Sequence, residues 1–97
     1  MESYEDWLVY DLKNLPSKRA ELAATDNPYM REYLTRHIAD MERLLSQLGE
    51  QERAVIETTV ICRKNSVPDM NKKQLYVIKR NAIDELCRLR FGVAYRP

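Results

Sequence analysis

The segment from Asn27 to Gly49 most constrains what this chain can fold into. Asn27 or Asp26 can cap a helix there, and Pro28 suits a first helical position. Gly49 marks the stop. Between them Met30, Leu34, His37, Met41, Leu44 and Leu48 recur at steps of four and three. Tyr33, Ile38 and Leu45 widen the stripe. At 1.5 Å per residue such a helix runs about 30 Å, the diameter of a small domain. The other segments must therefore pack around it. A stripe of about three heptads suits the inside of a bundle better than a two-chain coiled coil. The spacing predicts Met41 and Leu44 as core. It predicts His37 as a partly buried structural histidine, since no nucleophile or acid accompanies it in a catalytic pattern.

The remaining segments also read as helices. Ser3 with Asp6 three residues on predicts a helix start, followed by an apolar face of Trp7, Leu8, Leu12 and Leu15. Pro16 cannot donate a backbone hydrogen bond, so a break or kink is expected near Asn14. Ser17 to Ala24 then forms a second short helix carrying Ala20 and Leu22, or continues the first at an angle. A further helix is predicted over Glu50–Lys64, with Val55, Ile56, Thr59, Val60 and Cys62 on its apolar side. Pro68 breaks the pattern within Asn65–Asp69. The last helix starts at Asn71, where Gln74 can answer the cap, and runs to near Phe91 with Gly92 just beyond. Leu75, Ile78, Ala82, Leu86 and Leu89 form its stripe. Val93–Pro97 is expected to be an extended tail. No segment alternates with strand period, and two Gly in 97 residues favour helices. The expected fold is all-α: one domain over 1–97, a bundle of four or five helices. Residues 1–48 supply the N-terminal helices and the scaffold, 49–92 a second half, and 93–97 the tail.

Several function classes are excluded on chemistry. One His and no CxxC pair leave no zinc pattern, so no metal or cofactor is expected. No nucleophile–base signature or phosphate-binding loop is present, which predicts a protein that is not an enzyme. Cys62 and Cys87 fall in helical pattern and are expected to be two buried free thiols. No apolar run reaches the length of a membrane span, and the acidic start MESYEDW has no signal-peptide core. A cytoplasmic protein with no membrane partner is expected.

Charge is where the sequence turns towards function. Residues 1–62 carry seven Lys/Arg against twelve Asp/Glu, a balance of −5. Residues 63–97 carry nine against three, a balance of +6. The basic part can meet a polyanion. The acidic part can meet a basic protein surface such as that of RNA polymerase, or can partner the basic part within one fold. Lys72, Lys73, Lys79 and Arg80 stand off the apolar stripe of the last helix, with Gln74 and Tyr76 among them. A basic, hydrogen-bonding outer face is what a major groove accepts, and also what an ordinary solvated helix presents.

Two stretches together resemble region four of bacterial sigma factors and the related ArpU-type phage regulators. Leu48-Gly49-Glu50-Gln51-Glu52-Arg53-Ala54-Val55-Ile56 is similar to the family's opening pattern of Leu, a tight turn, Glu-Arg, one residue, then Val-Ile. Asn71, Leu75, Ile78, Ala82 and Leu86 stand at the offsets of the family's recognition helix. The resemblance covers the last half of the chain and implies a helix-turn-helix variant at 49–92. It implies a phage-type, cytoplasmic transcription regulator whose last helix reads double-stranded DNA. Lys72, Lys73, Gln74 and Tyr76 match exposed positions at the front of that helix; Lys79 and Arg80 join them on charge alone. The fourteen residues between Ile56 and Asn71 are fewer than the family uses. Either the Glu50–Lys64 helix acts as the positioning helix with Asn65–Met70 as a longer turn, or this half is a scaffold for protein interaction, inhibiting or adapting a polymerase or nuclease.

Overall fold

A computed structural model describes residues 3–92, all of whose regular structure is helical. Helices α1 (Tyr4–Lys13), α2 (Leu15–Ala24), α3 (Pro28–Ser46), α4 (Glu50–Ile56) and α5 (Lys72–Phe91) follow in order, and α4 runs on into a π-helical turn (Glu57–Ile61). The all-α bundle expected from the stripes is what forms. The expected tail at Val93–Pro97 lies outside the described residues.

The helix starts are where the local chemistry puts them. The Ser3 Oγ accepts from the Asp6 N–H at 3.1 Å, and the Asp6 carboxylate accepts from the Ser3 N–H at 3.3 Å. Asn27 Oδ1 accepts from the Tyr29 and Met30 N–H groups at 2.9 and 3.1 Å. Asn71 and Gln74 exchange bonds of 2.8 and 3.1 Å. Each bond satisfies an N–H, of the first turn or of the cap residue itself, that has no partner within the helix. At the other end of α5, Gly92 adopts φ 75°, a left-handed cap that glycine takes without steric cost.

Asn14 resolves the alternative left open at Pro16. The chain forms two helices, not one bent helix: Asn14 closes α1 with its backbone N–H and its side chain on Tyr10 O, while its own carbonyl accepts from Lys18 N–H at 2.9 Å to start α2. Arg31 then pins the α2–α3 corner, donating to Leu22 O and Thr25 O at 2.9 and 3.1 Å.

Helices α2 and α3 form one packed pair, and α4 with its π turn packs on α5. Helix α1 lies against α5 and the π turn, and α3 also meets α5, so a single core forms between them. Leu8, Leu12, Leu15, Leu34, Ile56, Ala82 and Leu86 are wholly buried there.

The scaffold stripe is set one residue round from the expected one. Leu34, Ile38, Met41, Leu45 and Leu48 are buried. Met30 and Tyr33 are exposed, and His37 and Leu44 are only half-buried. Leu44 is thus a rim residue, not the core residue expected. The reason is tertiary: α2 covers one flank of α3, which turns the widening positions Ile38 and Leu45 into the seam. The His37 ring lies near-parallel to Tyr33, with centroids 5.9 Å apart. In α2, Leu22 is half-buried and Ala20 exposed; Trp7 in α1 is also exposed.

A second correction concerns Cys62, which is exposed while Cys87 is fully buried; both are free thiols. The helix expected to reach Lys64 stops at Ile61, because its last turn is π-helical. The Cys62 N–H bonds to Glu57 O at 2.9 Å, five residues back. Thr59 Oγ1 donates to Val55 O at 2.8 Å, a side-chain bond that competes for a helical carbonyl. A five-residue repeat places Val60 and Ile61 beneath Val55 and Ile56, and all four are buried. An unbroken α-helix would have put Thr59 there and kept Cys62 in register. The thiols should consequently differ in reactivity. Burial pushes the Cys87 thiol above its ordinary range. Alkylation of the native protein should add one group at Cys62, and a second should appear only on unfolding. Mass spectrometry reads both; equal labelling of the two thiols in the native state would contradict this placement.

Candidate nucleic-acid interface

Helix α5 has two unlike halves. Its second half is wedged between α1, α3 and α4, so Ala82, Ile83, Leu86 and Cys87 are all buried. Leu75, Ile78 and Leu89 of the expected stripe are half-buried. The first two turns expose Lys72, Lys73, Gln74, Tyr76 and Val77. Tyr76 is 69% exposed. In the capping box the Gln74 Oε1 accepts from the Asn71 N–H at 3.1 Å, leaving its amide N–H groups to donate.

Ion pairing separates the cations of the basic third into two groups. Arg80 Nη1 and Nη2 donate to the two Glu5 oxygens at 2.8 and 3.0 Å, and Nη2 also donates to Asp84 Oδ1 at 2.9 Å. The Glu5 bonds first, then the Asp84 bond, raise the Arg80 pKa above its already high value. Arg88 grips Glu85, and that bond lowers the Glu85 pKa and raises its own. Arg90 Nη1 sits 2.6 Å from Asp11 Oδ2, an ion pair without an aligned hydrogen bond. Its guanidinium carbon lies 5.1 Å from the Phe91 ring centre. The α5 arginines, Arg80, Arg88 and Arg90, thus tie the helix to α1 or to itself. Arg80, expected on the groove-facing set, is one of these ties.

The other cations are differently placed. Among the described residues, no carboxylate lies within ion-pairing distance of Lys13, Arg63, Lys64, Lys72, Lys73 or Lys79. Lys72, Lys73 and the half-buried Lys79 belong to the expected set. Lys13, Arg63 and Lys64 were given no role by the sequence. Arg63 and Lys64 were visible there only as charge. Lys13 joins them through the fold, since Arg63 Nη2 reaches the Lys13 carbonyl oxygen at 3.4 Å across fifty positions of sequence.

Between the π turn and α5, residues 62–71 make a ten-residue connection, longer than the roughly three- to four-residue turn of a helix-turn-helix. Arg63 (φ 57°) and Asp69 (φ 66°) bend it through left-handed conformations. Among the described residues no helix is long and apolar enough to cross a membrane, and no group of three or more His, Cys, Asp or Glu is placed to hold a metal ion. Comparison with known proteins found no matching family model, no matching characterised protein and no matching solved structure.

Proposed function

We propose that this chain is a small DNA-binding regulator that sets the first two turns of α5 against double-stranded DNA. The observation that carries the reading is the sorting of its cations. Helix α5 spends its arginines on internal carboxylates, while Lys72, Lys73 and Lys79, beside Gln74 and Tyr76, have no carboxylate at ion-pairing distance among the described residues. Exposed lysines near a helix start can neutralise phosphates and release counterions. Gln74 can donate its amide N–H to an adenine N7, and lysine can reach guanine or phosphate. Arg80 contributes anchoring, not contact.

Fluorescence anisotropy with a labelled duplex at several salt concentrations tests this. Each phosphate contact contributes about −0.9 to the log–log slope. Changing Lys72 and Lys73 together to Ala should leave the melting temperature nearly unchanged, because both are exposed. It should weaken duplex binding and flatten the slope by up to about two units. No binding by the wild type at low salt, or equal binding by the double variant, refutes the reading.

A second reading is favoured by α1. Tyr4, Trp7 and Tyr10 recur at steps of three, each about half or more exposed; Trp7 and Tyr10 line a cleft of about 430 Å³ with Asp6, Asp11, Arg90 and Phe91, and Tyr4 stacks on the Phe91 ring. Exposed aromatics beside acidic groups suit a protein–protein contact. On that reading the chain is a non-enzymatic interaction module that docks its acidic N-terminal half on a basic partner, such as a polymerase or nuclease. Duplex binding decides between the two.

A further inference from the structure

A second basic feature lies beside α5. The end of α1, the residues closing the π turn and the third turn of α5 surround an open cleft of about 590 Å³. Lys13, Arg63 and Lys79 line it, with Tyr10 and Thr59. The cations come from separate elements and have no carboxylate at ion-pairing distance among the described residues. The cleft's own acids, Glu5 and Asp6, are compensated. Arg80 holds Glu5 by both oxygens, and Asp6 sits in the first turn of α1, where the helix dipole and the Ser3 N–H meet it. The charge left over is positive.

Arg63 makes this arrangement more than a chance cluster. Its φ of 57° is a conformation that glycine adopts freely and a side chain opposes. That bend lets the Lys64 N–H reach back to Thr58 O at 3.0 Å and close the π turn. Glycine would do this at lower cost. Arginine returns only a long 3.4 Å contact at an exposed site. Strain kept at a position where the side chain earns little internally points to an external use.

We infer that this cleft seats backbone phosphates of the DNA strand flanking α5, which makes the end of α1 part of the nucleic-acid surface. The inference rests on the proposed duplex binding and extends it to Lys13 and Arg63. Lys72, Tyr76 and Lys79 share one face of α5 at steps of four and three, about 10 Å from first to last. The cleft therefore continues the contact surface from the front of the helix. Its ligand chemistry is a phosphodiester, met by guanidinium and ammonium donors from separate parts of the chain.

The test is the variant Lys13→Gln/Arg63→Gly, which removes two cations and leaves the left-handed residue as glycine. Anisotropy titrations with duplex DNA across a salt series compare it with wild type and with Lys72→Ala/Lys73→Ala. The slope should fall by up to about two units, with affinity at low salt reduced about tenfold or more. The melting temperature should hold or rise, so that lost folding is not mistaken for lost contact. The single change Lys13→Glu, at an exposed helical position, reads the same surface independently and should weaken binding at least as much. If Lys72→Ala/Lys73→Ala weakens binding while both cleft variants match wild type, the cleft is not a phosphate site and the α5 reading stands. If the wild type itself binds no duplex, both fall together.

Discussion

Leu86→Ala should cost about 2–5 kcal/mol of folding stability. Leu86 is wholly buried, on the half of α5 that α1, α3 and α4 enclose. Cutting it to alanine removes transfer energy and leaves a cavity that helices on several sides cannot all close. Small domains hold only about 5–15 kcal/mol in total, so this one change should remove a large fraction of the margin. Urea denaturation gives the number. Leu44→Ala is the control: Leu44 is only half-buried on α3 and should cost well under half as much. Equal losses at the two sites would mean that α3 is rotated from the orientation described here.

Arg80→Ala should cost about 1–3 kcal/mol, on the scale of hydrogen bonds to charged groups discounted for partial exposure. Its side chain is 32% exposed and that of Glu5 18%. The change removes bonds to Glu5 and Asp84 and leaves two carboxylates facing each other without a cation. The pH dependence is set by the direction of the Arg80 shift. A raised basic pKa contributes stability that is fully present below the ordinary arginine range and is lost only as the pH rises through the raised value. The difference between wild type and variant should therefore stay flat from pH 7 to about 10, measured by chemical denaturation. Where the variant remains folded, duplex binding should be close to wild type, because Arg80 is an anchor. A large binding loss in folded Arg80→Ala would return this residue to the contact surface.

What could be seen in the sequence was local. Capping depends on side chains three residues apart, and Ser3 with Asp6, Asn27 with Pro28, Asn71 with Gln74, and Gly92 all act as their spacing implies. The phase of the α3 stripe was not local. Both sides of α3 carry apolar residues, and only the placement of α2 decides that Ile38 and Leu45 go inside while Met30 and Tyr33 stay out. The π turn escaped a reading built on 3.6-residue periodicity, and Cys62 was misplaced with it. At the candidate site, the exposure of Lys72, Lys73 and Tyr76 followed from the stripe. The Arg80–Glu5 pair and the Lys13–Arg63 meeting span 75 and 50 positions, and no spacing rule reaches across such distances.

The same long reach bears on how the chain folds as it is made. Helices α2 and α3 are neighbours in sequence and can pair as soon as both have left the ribosome. Helix α1, made first, has its main partners in the π turn and α5, made last. Until α5 emerges, Leu8 and Leu12 have no cover from it, and the Glu5 carboxylate waits for its arginine. Closing so distant a contact carries a large loop-entropy cost before any burial returns it. The step that docks α1 onto α5 is then the late event in folding, with α2–α3 already standing as the surface on which it completes.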